Sequence, residues 1–367
     1  MNGGTGLDEE TSVLLVHGEN FQALRLLQRR YQQQVKCVYI DPPYNTGDDG
    51  FSYKDSYQHS SWLSLLSDRV AMLRTFLRPD GAFFGSIDDR EVQSFRWVLD
   101  EAFGREALVS DIAVINNWKG RQDRAHIATA HEHLLLYEMP EFESLGFSLT
   151  ETQIADYDQE DGEGGKYQLR DLRKRGGADT RALRPNLYFA IFWSAGDRTA
   201  AISRRSLKDI EIFPLKSDGT DGCWRWKVDT VRENIDILEA REVADSGRYN
   251  VFYRVYLEHD GEARTAKPKS VWAGTKYSSD HAIKTLRAML PNTAFKSPKA
   301  VGFIEDLILH STCDDELVVD AFAGSGTSTH AIIAANQDDR GERKIVSIEQ
   351  SEDFDQMLRT SSKFFSS

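Results

Sequence analysis

The sequence predicts an α/β fold built on a mostly parallel sheet, and three observations carry that reading. Short apolar runs alternate with stretches of helical periodicity from residue 12 to about residue 140. The same alternation returns from about residue 301. Two apolar runs end abruptly in residues that stop a strand, Asp41-Pro42-Pro43 and Asp320-Ala321-Phe322-Ala323-Gly324.

The elements follow in order. Residues 12–17 (SVLLVH) read as a short buried strand, Gly18-Glu19-Asn20 as a turn, and Phe21, Leu24, Leu27 and Tyr31 as the apolar face of a helix reaching Gln34. Val35 to Ile40 is the next strand; two prolines forbid its continuation, so Asp41 stands at its carboxyl end. Leu63, Leu66, Val70, Leu73 and Leu77 mark a helix over 60–77. Pro79-Asp80-Gly81 reads as a turn into a strand over 82–87, Asp88 to Phe103 as a helix, and 107–115 and 133–137 as strands. From about residue 150 the alternation fades. Residues 156–180 are rich in Gly and charge and read as irregular, and strand-like pieces follow at 188–193, 223–226 and 251–257. Then come a helix over 301–309, a strand over 316–320, a helix over 328–336 and a strand over 344–349. The expected organisation is an α/β half over 1–150, an inserted module over 151–275, and a closing α/β half over 276–367.

Composition narrows the function classes. At 367 residues the chain holds about two domains, or one domain with an insertion. Apolar residues at 40% and charged residues at 28% describe a globular chain. No apolar run approaches the roughly 20 residues that span a bilayer, and the first residues lack a basic and apolar leader pattern. Cys37, Cys223 and Cys313 have no metal-ligand spacing, which excludes a disulfide scaffold and a zinc ribbon and fits a reducing cytoplasm. Net charge is −13, which by itself disfavours a polyanion as partner. Its distribution points the other way. Lys166 to Arg205 carries ten basic residues against three acidic ones, and Arg264 to Lys299 carries eight against one. Basic stretches on an acidic body suit local nucleic-acid binding.

Two motifs carry chemistry. The first is Asp320 to Thr327 (DAFAGSGT), a strand, a Gly-rich turn and a helix. Glycines permit close backbone approach, and the helix amino terminus offers N–H groups to an anionic part of a ligand. Glu349 closes the next strand, 23 positions beyond Gly326, where a carboxylate can take ribose hydroxyls. This pattern points to a nucleoside-containing cofactor, and without Gly-Lys-Ser/Thr it does not suit an ATPase loop. The second motif is Asp41-Pro42-Pro43-Tyr44. At a strand end in an open sheet, a carboxylate and a proline-fixed carbonyl can hold the two hydrogens of an exocyclic amine, and the tyrosine can stack on a planar base. Trp118 is a further candidate for a base pocket, and His59, His131 and His133 read as structural or DNA-near; no metal is expected.

On these residues the chain resembles the β-class amino-group DNA methyltransferases, and more narrowly the modification (Mod) subunits of type III restriction systems. The resemblance runs through Asp41 to Gly47, Phe51 to Tyr57, His59 to Leu63, Asp80 to Asp89, Ala130 to His133, Phe295 to Lys299 and Asp320 to Thr327. It covers roughly residues 12–140 and 290–350, while the middle matches no motif. It implies a circularly permuted Rossmann-like methyltransferase sheet of the seven-stranded type, in which the Val13-to-His17 strand restarts the sheet beside the cofactor strands. The insert would then be the target-recognition module.

The resemblance also implies the roles. S-adenosylmethionine would be held by Phe322, Gly324 and Gly326, with Asp320 near its amino group and Glu349 on the ribose. Lys296 and Lys299 would wall the methionine end, and Gly18-Glu19-Asn20 would lie near the adenine ring. Asp41, Pro42, Pro43 and Tyr44 would hold a base flipped out of double-stranded DNA. Arg173, Lys174, Arg175, Arg181 and Arg184 would contact nucleic acid. Asp at the first motif position favours adenine N6 over cytosine N4 within the family. The partners implied are DNA, a type III restriction (Res) subunit and a second copy of the chain. The insert is short beside typical Mod subunits and no helical tail follows Glu349, so a stand-alone enzyme and a shortened Mod subunit both fit. The rival readings are an RNA methyltransferase, a non-catalytic DNA-binding protein that keeps the fold, and a nicotinamide-dependent dehydrogenase, which would leave Asp-Pro-Pro-Tyr without a role.

Overall fold

A computed structural model describes residues 12–45, 57–121, 126–243, 247–291, 295 and 297–350. The chain divides into two units, one within Met1–Phe147 and Ala266–Ser367, the other Ser148–Thr265.

The first unit opens with β1 (Val13–His17), α1 (Asn20–Tyr31), β2 (Val35–Ile40), α2 (His59–Phe76), β3 (Leu77–Ile87), α3 (Val92–Phe103), β4 (Leu108–Ile115) and β5 (His131–Glu138). It closes with β6 (Val271–Ala273), α4 (Ser279–Met289), α5 (Val301–Ser311), β7 (Leu317–Asp320), α6 (Thr327–Asp339) and β8 (Lys344–Glu349). The eight strands form one sheet in the order β1-β8-β7-β2-β3-β5-β4-β6. Only β5 runs antiparallel to its neighbours. The expected permutation is present: Val13 pairs with Ile345 and His17 with Glu349, so β1 lies parallel beside the last strand.

Side-chain alternation explains the two cores. In β2 all six residues are buried, as a central strand covered on both faces requires. Val38 and Ile40 point to the face covered by α1, α2 and α3, with Leu24, Trp62, Leu66 and Phe95. Cys37 and Tyr39 point to the face covered by α4, α5 and α6, with Phe303, Leu307 and Ile332. The result is a three-layer α/β/α unit.

Several boundaries differ from the sequence reading. β3 starts at Leu77, before the turn expected at Pro79-Asp80-Gly81, and its register with β2 jumps there from Val35–Leu77 to Cys37–Ala82, where Lys36 and Arg78 both bind Asp80. Val271–Ala273, expected in the insert, pairs with Ala113–Ile115 at the sheet edge; three residues are too few to show a period. Lys166–Asp171 lies in a stretch read as irregular, yet it forms a strand. Pairing of Tyr167 to Asp171 with Tyr256 to Phe252 on the strand Arg248–Tyr256, not its own composition, makes it one.

The second unit is antiparallel. Leu238–Val243, Arg248–Tyr256, Lys166–Asp171 and Gln159–Glu160 form one sheet in that order, and Thr199–Ala201, Ile191–Ser194 and Ile210–Ile212 another. Ile191, Trp193, Trp224, Val231 and Val251 are among the residues that fill its core. No helix of the described residues is long and apolar enough to cross a membrane.

Candidate active site

The topology fixes where a ligand sits. β7 and β2 are adjacent and parallel. The helix after β7 packs on one face of the sheet and the helix after β2 on the other. Their carboxyl ends therefore flank a switch point, where an open sheet leaves a crevice. A cleft of about 1040 Å³ opens there, lined by residues from the ends of β1, β8, β7 and β2. Four carboxylates face it, Glu19, Asp41, Asp320 and Glu349, against two cations, Arg69 and Lys299.

Asp320 ends β7 and is 1% exposed. The Ser328 hydroxyl and the Phe322 N–H (2.9 Å) donate to it, and burial pushes its carboxyl up to about 7. Glu349 ends β8. One of its oxygens accepts the Gly324 N–H at 2.7 Å and the other the Gln350 N–H at 2.9 Å. It therefore fixes the glycine turn. Gly324 and Gly326 have φ of 53° and 79°, conformations that favour glycine. Phe322 and Gly324 line the cleft, whereas Gly326 starts α6 and lines a small adjoining cavity of about 250 Å³. Asn20 lines the cleft and donates to the Ala321 carbonyl at 3.2 Å. Its other amide atom accepts from Arg69, which also pairs with Glu19. Lys296 lies outside the described residues, as do Thr46, Gly47 and 51–56 of the catalytic motif.

A second cavity of about 1050 Å³ adjoins the first and shares Asp41, Ser297, Pro298 and Lys299 with it. Pro42, Tyr44, Asn116, Asn117 and Glu132 line the second cavity, and Pro43 lines the first. The Pro43 carbonyl accepts the Trp62 indole N–H at 2.8 Å, which locks the turn after Asp41 onto α2. Trp118 is 68% exposed and lines neither cavity.

Asp41 stands on the wall between the cavities. Its Oδ1 is buried and accepts no aligned hydrogen bond among the described residues. The Lys299 ammonium lies 3.1 Å from that oxygen as an ion pair. The same ammonium donates to Glu132 at 2.7 Å and to the Tyr44 hydroxyl, and it sits 4.8 Å from the Tyr44 ring centre. The Tyr44 hydroxyl donates to Glu132 at 3.2 Å. Burial raises the Asp41 carboxyl, and Lys299 partly offsets that rise. Burial works against the Lys299 ammonium, but Asp41 and Glu132 overcome it and hold the amine above its ordinary value. Burial also raises the Tyr44 phenol well above its usual range.

Sequence reasoning assigned no role to Glu132 or Arg69. Glu132 was legible as a lone acid in the alternation Glu132, Leu134, Leu136, and it is 5% exposed. Arg69 was legible as a charge three positions after Leu66 at the edge of an apolar helix stripe. The histidines gather more closely than their spacing suggested. One ligand atom from each of Asp89, His131 and His133 lies within 4.8 Å of the others. Both ring nitrogens of His133 already face carboxylates, Asp111 at 2.8 Å and Asp89 at 3.2 Å. The Asp111 hydrogen bond raises its pKa. His59 bonds Glu91 at 3.1 Å, away from both cavities.

In the second unit, Arg173 and Arg175 line a groove of about 990 Å³ together with Lys216 and Arg248, opposed by Glu211. Arg175 pairs with Asp171 at 2.7 Å. Arg181 pairs with Asp221 at 3.0 Å and covers the Tyr188 ring at 4.3 Å. Arg184 is exposed and Lys174 half-buried, and neither lines the groove.

The chain matches a family described as DNA methylase over residues 35–359. It is similar to the type III restriction-modification enzyme EcoPI Mod subunit of Escherichia phage P1, with 31% identity over 375 residues, 92% of this chain and 57% of the relative. It is also similar to the type II methyltransferase M.KpnI of Klebsiella pneumoniae, with 27% identity over 93% of this chain and 81% of the relative. Among solved structures, the PvuII DNA methyltransferase (cytosine-N4-specific) has 12% identity and a TM-score of 0.47, over 97% of this chain and 91% of that one. The chain thus spans little more than half the length of the EcoPI Mod subunit.

Proposed function

The chain belongs to the DNA methylase family, and from that premise we propose that it is an S-adenosylmethionine-dependent DNA adenine N6-methyltransferase of the type III Mod kind. The observation that carries this reading is Asp41 Oδ1, a buried acceptor without an aligned hydrogen bond among the described residues, at the junction of two cavities. One cavity suits a cofactor and the other a base.

The residues of the first cavity suit a cationic cofactor. Its excess of carboxylates complements a sulfonium and an ammonium, and buried Asp320 gains a counter-charge when an ammonium approaches. Phe322, Gly324 and Glu349 would hold the nucleoside part and Asp320 the amino group. Bound there, S-adenosylmethionine supplies an electrophilic methyl group.

The chain's own residues do the rest. Asp41 Oδ1 accepts one hydrogen of the target amine and the Pro42 carbonyl accepts the other. Two acceptors out of the ring plane pull the nitrogen toward tetrahedral geometry and free its lone pair, which ring conjugation otherwise holds. Tyr44 stacks on the base. This is positioning and electrostatic preorganisation, with no covalent nucleophile. Burial raises the Cys37 thiol to about 12 and also raises Cys223 and Cys313, which does not suit a thiolate nucleophile.

The substrate is double-stranded DNA, held in the second unit through basic residues such as Arg173 and Arg175. Arg181, Arg184 and Lys174 are further phosphate contacts in this reading. The working location is the reducing cytoplasm, with a restriction subunit or a second copy of the chain as partner. Transfer of labelled methyl groups to unmethylated duplex DNA, followed by nucleoside analysis, tests the proposal. N6-methyladenine is expected. N4-methylcytosine would overturn the base assignment, and labelling of RNA alone would overturn the substrate.

A further inference from the structure

We propose that Glu132 and Lys299 are positioning residues for Asp41: Glu132 holds the Lys299 ammonium where its charge balances Asp41 without covering the oxygen that the target amine needs. This rests on the functional reading above, in which Asp41 is the acceptor.

An ammonium beside a buried carboxylate ordinarily closes a charge-assisted hydrogen bond of about 2.7–2.9 Å. Here that bond goes to Glu132, at 2.7 Å. Asp41 Oδ1 receives the longer contact, 3.1 Å, without an aligned hydrogen bond among the described residues. Three features hold the ammonium in that place. Glu132 stands at the start of β5, 5% exposed, and is steadied by Asn116 Nδ2 at 3.2 Å. The Tyr44 hydroxyl takes a second ammonium proton and itself donates to Glu132. The Lys299 backbone carbonyl accepts from Thr327 at 3.4 Å, which ties the lysine to the first residue of α6.

The groups that face Asp41 come from every side. Lys299 comes from the segment before α5, Glu132 from β5, Tyr44 from its own turn, Tyr39 from β2 and Asp320 from β7. Lys299 is the only cation in that set. Without it, Asp41 would share the site with two other carboxylates, and such groups take up a proton more readily. A protonated Asp41 keeps one oxygen for its own proton and loses much of its pull on the amine. Without Glu132, the ammonium has no reason to stand off, and it would turn onto Asp41 Oδ1. The two losses therefore differ in kind. Lys299 sets the pH range of the acceptor, while Glu132 sets its availability at any pH.

The test is single-turnover methyl transfer over about pH 5 to pH 9 for the wild type, Lys299→Met, Lys299→Arg and Glu132→Gln, alongside S-adenosylmethionine binding and thermal melts. Lys299→Met is expected to move the acid limb of the rate upward by at least about one pH unit and to regain activity in alkali. Lys299→Arg keeps the wild-type midpoint. Glu132→Gln is expected to lose roughly 100-fold in rate at every pH, with cofactor affinity nearly unchanged. A uniform loss in Lys299→Met with an unmoved midpoint would overturn the proposal, as would losses that track cofactor affinity. Lys299→Gln replaces Lys299→Met if the latter does not melt cooperatively. A carbon-13 titration of the Asp41 carboxyl without DNA, assigned with Asp41→Asn, separates this proposal from the functional reading. A midpoint that rises in the Lys299 variant supports the charge pair even if the wild type methylates no DNA, in which case the functional reading alone fails. A midpoint that stays put while the wild type methylates DNA sinks the charge pair alone.

Discussion

Asp320 is the residue whose chemistry bears most directly on the cofactor. Burial lifts its carboxyl to about 7, against an ordinary value of 3.8. A carboxyl raised in the folded state contributes stability that is fully present below its unfolded pKa and is lost as pH rises through the folded pKa. The free protein is therefore expected to melt at a lower temperature at about pH 8 than at about pH 6 through this group. A cationic ligand reverses the trend, because it favours the ionised form and releases the proton on binding. Calorimetry of S-adenosylmethionine in two buffers of different ionisation enthalpy should detect that proton near neutral pH. Asp320→Asn should abolish the release, and a release that persists in this variant would assign the proton to another group. Asp41 makes the complementary case. In the proposed reading Asp41→Ala removes the acceptor that holds the target amine, so transfer should fall by about 10²–10³-fold or more while cofactor affinity stays close to wild type. An active variant would refute the site assignment.

At the scale of elements, the strands explain which parts of the fold were legible. β2 is six consecutive buried residues closed by two prolines, so its position and end could be read directly. Asp41 was legible for the same reason. The alternation of β5 places Leu134 and Leu136 on one face and Leu135 and Tyr137 on the other, and it shows Glu132 as the odd residue. What no local pattern shows is pairing between distant segments. Glu132 meets Lys299 across 167 positions and Arg78 meets Glu316 across 238. β6 and the Lys166–Asp171 strand likewise exist because a neighbour accepts them. β3 also carries a packing constraint hidden in its sequence. Gly85 lies between Ile40 of β2 and Leu135 of β5. A Cβ there would stand 2.5 Å from Cε1 of Phe95 in α3. Phe95 is fully buried against Trp62 and cannot yield cheaply. Gly85→Ala should destabilise the protein by about 1–3 kcal/mol in urea denaturation. An unchanged midpoint would show that α3 shifts freely.

For the whole molecule, the division of labour follows from which unit supplies each surface. Both halves of the first unit are needed for the cofactor cleft, since Gly18, Asn20 and Asp41 come from one and Asp320, Gly324 and Glu349 from the other. Among the described residues of the second unit, four cations, Arg173, Arg175, Lys216 and Arg248, line one groove with one acid, Glu211, although the chain as a whole carries −13. A local cationic groove on an anionic protein makes binding to a polyanion short-ranged and sensitive to salt. Three of the cations form ion pairs, Arg173 and Arg175 with Asp171 at 3.9 and 2.7 Å and Lys216 with Asp179 at 2.8 Å. Each must exchange a carboxylate for a phosphate, which lowers the net gain without changing the number of counterions released. The logarithm of DNA affinity should thus fall linearly with the logarithm of salt concentration, and Arg175→Ala, Lys216→Ala and Arg248→Ala should each flatten the slope by about one unit. S-adenosylmethionine affinity should not change in any of the three, because the described residues that line its cleft belong to the first unit. Slopes equal to wild type in all three variants would move the phosphate contacts to other residues. Arg181 and Arg184, outside the groove, would then be the next to replace.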